Sequence, residues 1–400
     1  MNYPFKVIVI LVILLGCISC TTTDQKGYAI EIIDLETGLK NNHTMLLSEI
    51  ADSIVYIKLA THADYLIGKG TPLVRGNRIF IKDISSDRII IFNRSGEYLS
   101  KIERKGKGPG EYIGISQFTV SPLGDLIAID SYGNEELYLY NASGEFINKV
   151  TATADWNSGM FFDSENELII CTNQTLNQLP DYPVVMQYSN DLSIRDTLIT
   201  RQWIELNNQP SVFPFIPFLF YRFNGKYFYK EQACDTLYQL SSDKSFQPRY
   251  VFNSGSHAMT AEALFSNNTE DFYRLMQFSE TLDYFTFLIG FRKKNTLMYY
   301  DKSSKELFSI PDIVMDYKSS RQIPELKNDL DGFDHPFLKH DNDANSWISM
   351  HQMVDLKEME QEGFFENPQL KNSTSGSTIA TMVKKSSEED NPIIRILYLK

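Results

Sequence analysis

The sequence predicts an all-β fold, a six-bladed β-propeller whose last blade is closed by a strand from near the N-terminus, with small helical insertions. Three observations lead there. Segments recur at a spacing of 48 residues, an aromatic closes the third strand of every unit, and an apolar strand without a partner precedes the first unit.

The repeat comes first, because a fixed period decides the architecture. Ile79–Asp83 followed by Ile89–Ile102 matches Leu126–Asp130 followed by Glu136–Val150. Asn93, Ser95, Gly96, Glu97 and Lys101 return as Asn141, Ser143, Gly144, Glu145 and Lys149, each 48 residues later. In each unit two apolar runs are joined by polar residues. An Asn-x-Ser-Gly turn follows, its glycine supplying a positive φ at low cost, and then a third run. A shorter run precedes each unit, at Pro72–Val74 and Phe118–Val120. Four short antiparallel strands every 40–50 residues make a propeller blade.

The strand-ending aromatic counts the blades. It is Phe92, Tyr140, Tyr188, Tyr238, Tyr300 and Tyr398, and the last two gaps are the longest, at 62 and 98 residues. Within the first long gap Thr260–Phe278 reads as helical. The second holds the helix-prone Asp355–Gly363 and a Ser/Thr/Asn/Gly-rich loop, Asn367–Ser377. Both read as insertions into blades, with a degenerate seventh blade as the alternative in the longer gap. The chain stops just after Tyr398, so the last blade lacks a fourth strand, and Ser53–Leu59 is free to supply it. Closure of that kind removes exposed sheet edges.

The N-terminus predicts export. A short segment with one positive charge, Met1–Lys6, leads into the apolar run Val7–Leu15 and then Gly16-Cys17-Ile18-Ser19-Cys20. This order marks a secretory signal over residues 1–20. The run is too short to span a hydrocarbon core of about 30 Å. Leu14-Leu15-Gly16-Cys17 resembles a bacterial lipobox with Cys17 as the lipidated residue and Cys20 as the second choice. Lipid at either cysteine would hold the protein at a membrane without a spanning helix. Residues 21–50 read as a polar tether with a short strand near Tyr28–Ile33, leaving 51–400 for the propeller. Cys171 and Cys234 read as free cysteines, a single bridge between them being the alternative.

The chain's 42% hydrophobic and 13% aromatic residues suffice for a core, and its net charge of -13 opposes binding to phosphate backbones, which excludes nucleic acid as a partner. Gly106-Lys107-Gly108-Pro109-Gly110-Glu111-Tyr112 lacks the spacing of a phosphate loop. It reads as a crossover between the first two blades, with Tyr112 packed inward. If it lines the channel mouth, Lys105, Lys107, Glu111 and Tyr112 face a ligand. Asp329, Asp331 and Asp334 lie within six residues and have the spacing to converge on a hard cation such as Ca2+, a solvated acidic loop being the plainer alternative. Asp83 and Asp130 recur at the ends of second strands and read as backbone-bonding residues of the repeat.

Ser53–Leu59, Leu66-Ile67-Gly68, Ile79–Asp83, the GxGPGEY element, Asn328–Gly332 and the terminal Asn391-Pro392 together resemble the six-bladed β-propeller lipoproteins of Bacteroidota. The resemblance runs from about residue 50 to the end, and Phe333 stands where that family has a further glycine. It implies this fold and an outer-membrane lipoprotein, on the periplasmic or the surface face. The functional expectation is a non-catalytic propeller that binds a glycan, a peptide or an envelope protein near Gly106–Tyr112, Asp329 and Asp331. The alternative is a metal-assisted hydrolase or lyase with its site in the channel.

Overall fold

The computed structural model describes residues 30–400, apart from 134, 152–156, 173–180, 203–217, 242–244, 261, 264–267, 311–312, 317–320, 325, 334–339, 342–344, 369 and 371–372. Six antiparallel sheets form a ring. The N-terminal segment contributes β1 (Glu31–Asp34), the short helices α1 (Leu35–Lys40) and α2 (Leu47–Ile50), and β2 (Ala51–Lys58). Blade 1 is β3 (Gly70–Arg75), β4 (Arg78–Asp83), β5 (Arg88–Asn93) and β6 (Tyr98–Ile102). Blade 2 is β7 (Ile115–Val120), β8 (Leu126–Ser131), β9 (Glu136–Asn141) and β10 (Phe146–Thr151). Blade 3 is β11 (Asn157–Phe162), β12 (Leu168–Thr172), β13 (Asp181–Tyr188) and β14 (Ile194–Gln202). Blade 4 is β15 (Phe218–Phe223), β16 (Lys226–Glu231), β17 (Thr236–Leu240) and β18 (Phe246–Asn253). Blade 5 is β19 (Arg274–Glu280), β20 (Tyr284–Phe291), β21 (Lys294–Asp301) and β22 (Glu306–Ile310). A hairpin of β23 (Ile313–Asp316) and β24 (Arg321–Pro324) follows. Blade 6 is β25 (His340–Asp341), β26 (Ser346–His351), β27 (Ile393–Leu399) and, as its outermost strand, β2.

First strands line the centre: β7 touches β11, β11 touches β15 and β15 touches β19. Apolar side chains from both faces of each blade fill the junctions, so strands such as β5 are buried along nearly their whole length. Each junction has its own core. Phe80, Ile91 and Tyr140 lie between blades 1 and 2, and Phe252, Phe285 and Tyr300 between blades 4 and 5. The junction that closes the ring joins Ile57, Ile394 and Ile396 of blade 6 to Ile79, Ile81 and Phe92 of blade 1. All six counted aromatics fall on third strands. In blade 4 the equivalent strand-end position is Leu240, two residues past Tyr238, because β17 continues into the Ser241–Ser245 turn.

The 48-residue period extends to irregularities. The outer strands of blades 1, 2 and 3 each carry a bulge opposite the anchor aromatic, at Leu99, Ile147 and Arg195. The turn glycine is fixed twice over. Gly96 has φ +86, and a Cβ there would lie 2.1 Å from the Lys58 carbonyl of β2. Gly144 has φ +83 and the same relation to Lys101 of β6. The turn of each of these blades thus rests on the outer strand of the blade before it, and only glycine fits.

Several expectations are corrected. Residues 31–50 are folded against the ring, not a free tether. β1 adds a parallel fifth strand to β18, α1 packs on β22, and Leu35 and Leu47 are fully buried. Of the segment expected to be helical, Arg274–Phe278 lies in β19, where exposed Arg274, buried Leu275 and half-buried Met276 pair with β20. The Ser/Thr-rich loop becomes helical from Thr374, where the Ser373 hydroxyl caps the Gly376 amide of α4 (Thr374–Lys384). The expected helix over Asp355–Gly363 is α3 (Met353–Gln361). Asp83 and Asp130 are not equivalent. Lys82 occupies the register of Asp130, and one residue of offset moves a strand side chain to the other face. Asp83 does bond a turn amide, that of Ser85, at 3.1 Å. No disulfide joins Cys171 to Cys234. The signal segment and Cys17 and Cys20 lie outside the described residues. Among the described residues no helix is long and apolar enough to cross a membrane.

A buried ion pair locks the closing blade. Arg395 on β27 pairs with Asp331 at 2.6 and 2.9 Å, and both side chains are inaccessible to solvent. Tyr56, opposite Arg395 on β2, donates to the same carboxylate, and Asn328 donates to it at 2.7 Å. Burial pushes the Asp331 carboxyl up, but Arg395 and the two donors outweigh it and hold its pKa below the ordinary value. Arg395→Met is therefore expected to cost about 3–5 kcal/mol by stranding the carboxylate, whereas Arg395→Met with Asp331→Leu costs far less. Urea denaturation of the two variants measures the difference. Because the folded pKa is depressed, this stabilisation is present above the unfolded value and is lost as pH falls through the folded one. Wild type should lose stability more steeply than the double variant below about pH 4.

Candidate functional site

The GxGPGEY segment is the crossover from β6, at the rim of blade 1, to β7, at the centre of blade 2. Its backbone closes on itself. The Tyr112 amide donates to the Arg104 carbonyl at 3.0 Å, the Gly106 amide to the Tyr112 carbonyl at 2.9 Å, and the Glu111 amide to the Gly108 carbonyl at 3.1 Å. The Glu111 carboxylate folds over the loop and accepts from the Gly108 amide at 2.8 Å. A Cβ at Gly106 would lie 2.0 Å from it. Tyr112 is fully buried, with its hydroxyl 2.7 Å from the Asp87 carbonyl, and burial pushes its pKa up to about 12. Tyr140 ties the loop to blade 2 by donating to the Gly110 carbonyl at 2.9 Å.

This geometry divides the four loop candidates. Tyr112 is fully buried, which takes it out of reach of a ligand, and Glu111 is partly covered with its carboxylate bonded to the Gly108 amide. Lys105 and Lys107 are exposed on the resulting platform. Lys105 pairs with Asp87 at 2.6 Å, and Tyr132 donates to the same Asp87 oxygen at 3.0 Å. Burial raises the Asp87 pKa, but hydrogen bonds from Lys105, Tyr132 and the Ile115 amide outweigh it and leave the value below normal. The cluster joins the β4–β5 turn, the crossover and the β8–β9 turn on one face of blades 1 and 2.

The acidic loop is not brought together as a cation site. The Asp331 carboxylate is consumed by Arg395, Tyr56 and Asn328. Asp329 turns the other way and accepts from the Ser48 amide at 3.0 Å and its hydroxyl at 2.6 Å, at the start of α2. Asp334 lies outside the described residues. Among the described residues no group of three His, Cys, Asp or Glu side chains is placed to hold a metal.

Two charged residues escaped sequence reasoning. Arg395 interrupts Ile393-Ile394-Arg395-Ile396-Leu397, and Lys230 ends Tyr227-Phe228-Tyr229-Lys230. A lone charge in an apolar strand signals a buried partner, because such residues are almost never buried unpaired. Lys230 is fully buried and donates to the Glu231 and Cys234 carbonyls at 2.9 and 2.6 Å, closing the β16–β17 turn. Burial lowers its pKa to about 8. Tyr112→Phe should cost about 1 kcal/mol and loosen the crossover, seen as faster amide exchange at Gly106 and Glu111. Unchanged exchange would place the loop's rigidity elsewhere.

A Bacteroides fragilis protein described only as exported shares the fold at 17% identity and a TM-score of 0.60, covering 93% of this chain and 99% of its own. A member of the DUF4221 family from Bacteroides vulgatus matches at 9% identity over 88% of this chain and 97% of its own, with a TM-score of 0.45. Virginiamycin B lyase from Staphylococcus aureus matches at 11% identity over 65% of this chain and 75% of its own, with a TM-score of 0.38, too low to lend its chemistry. No curated protein matches. A family model described as a domain of unknown function, DUF4934, matches residues 30–398, and the chain belongs to that family.

Proposed function

We propose that this propeller is a non-catalytic binding module of the cell envelope, exported by its N-terminal signal and held at the outer membrane by lipid on Cys17 or Cys20. The observation that carries the binding role is the crossover at residues 103–114. Exposed Lys105 and Lys107 stand on a loop whose backbone is fixed by Glu111, Tyr112 and Tyr140. A loop already ordered before contact has little entropy to lose on binding, so its side chains recognise a partner efficiently. The scaffold below is equally fixed, since the apolar faces of neighbouring blades pack against one another around the ring. Export is supported by the signal pattern and by the description of the Bacteroides fragilis relative.

Two measurements test this reading. With the lipid reading correct, Cys17→Ser with Cys20→Ser releases the protein from the membrane fraction, and retention of the double variant would overturn it. For the binding role, a detergent extract of envelope from the same cells should raise the melting temperature of the purified protein. Lys105→Glu with Lys107→Glu should reduce that rise. An equal rise in the double variant would move the site off this face.

A further inference from the structure

Tyr132 is required by none of the contacts that build the ring. It opens the β8–β9 turn and remains 50% exposed, at the position that blade 1 fills with Ile84. Two contacts nevertheless immobilise it. Its ring lies on Gly114, where a Cβ would fall 2.1 Å from Cζ and 2.5 Å from Cε1. Its hydroxyl donates to Asp87 Oδ2 at 3.0 Å. That same oxygen is gripped by Lys105 Nζ at 2.6 Å. Asp87 is itself held, since its backbone carbonyl accepts from the buried Tyr112 hydroxyl. An exposed tyrosine ordinarily keeps its rotamer freedom, and here that freedom is already lost. The hydroxyl end of the ring lies against Gly114, half of the side chain meets solvent, and a carboxylate and an ammonium stand side by side at that end.

We propose that Tyr132, Asp87 and Lys105 form a sugar platform that takes a hexopyranose unit of a neutral glycan. This rests on the binding role inferred above and names its ligand class. The C–H face of a pyranose ring is apolar and flat and fits an aromatic face. Its vicinal hydroxyls each donate and accept, so one donates to the Asp87 carboxylate while its neighbour accepts from the Lys105 ammonium. Charges of both signs at the edge favour an uncharged ligand over an acidic one. An extended peptide is the poorer fit, because peptide recognition relies on an unpaired strand edge or an aromatic-lined groove, and Tyr132 stands on a turn. Gly114 acquires a functional reason: any side chain there would lift the ring.

The test uses the purified full chain, with affinity electrophoresis through gels containing dextran, mannan, galactan or xylan. Retardation of the wild type by at least one of these is expected, with apparent affinity at least tenfold weaker in Tyr132→Ala and in Gly114→Ala. Tyr132→Ala should leave the melting temperature unchanged, since the ring side chain lies at the surface. Retardation that is equal in Tyr132→Ala overturns the platform. A second arm separates this proposal from the binding role beneath it. Envelope extract treated with periodate, which cleaves vicinal diols, should lose its power to stabilise the wild type, while protease-treated extract should keep it. Stabilisation that survives periodate and disappears with protease overturns the sugar platform and leaves the binding role standing. No stabilisation by any extract together with no retardation by any polysaccharide overturns both.

Discussion

Closure of the ring is the constraint on which everything else depends, and it is made by the pairing of β2 with β27 over a buried ion pair. Every other blade is continuous in sequence, so its four strands meet by short local turns. Blade 6 must recruit a strand from more than 300 residues away, and the Tyr56–Arg395 register is where the two ends of the chain meet. Asp331 reaches this point from the loop before β25. The lock therefore joins three distant segments, all desolvated together. Such a cluster adds little net stability over an apolar equivalent, yet it is costly to break singly.

Around that lock the chain has built outward. α3, α4 and Phe333 form a small second core with Tyr56, Ile379, Val383 and Ile393 on the outer side of blade 6. Phe333 packs against Phe364 and against the ring of His351 at 4.5 Å. The residue that departs from the resembling family's glycine is thus an anchor of the helical insertion. Next to blade 6 in the ring, blade 1 and then blade 2 keep the plain four-strand form, and their long connection is the crossover.

The blades were legible in the sequence because their cores are local. A buried strand flanked by an Asn-x-Ser-Gly turn leaves the same signature wherever it occurs, and blades 1 and 2 repeat it nearly residue for residue. The closing strand was legible for the complementary reason: β2 is apolar enough to need a partner, and the last blade lacked one. What failed depended on side chains meeting across blades. Asp329 and Asp331 look alike in sequence, yet one caps α2 and the other neutralises Arg395. Glu111 looks available, yet glycines at 106 and 108 let its carboxylate lie on its own loop. The tether reading failed because Leu35, Leu47 and Ile50 are too sparse to show a pattern, although each is buried. Tyr132 carried no sequence signal, because its role comes from Gly114 and Asp87, eighteen and forty-five residues earlier.

The N-terminal segment has a mechanical meaning. Residues 31–58 run as a belt along the rim of three successive blades, β1 on β18, Asn42 beside Ser309 on β22, and β2 as the outer strand of blade 6 on β27. A pull on the chain ahead of residue 30, along the strand axis, loads β1 in shear, so its hydrogen bonds to β18 share the force instead of parting one at a time. Only after β1, the contact at Asn42 and the pairing of Leu46 with Lys327 yield does tension reach the closing strand. A propeller tugged from that side is thereby shielded at its closing seam by three attachments in series.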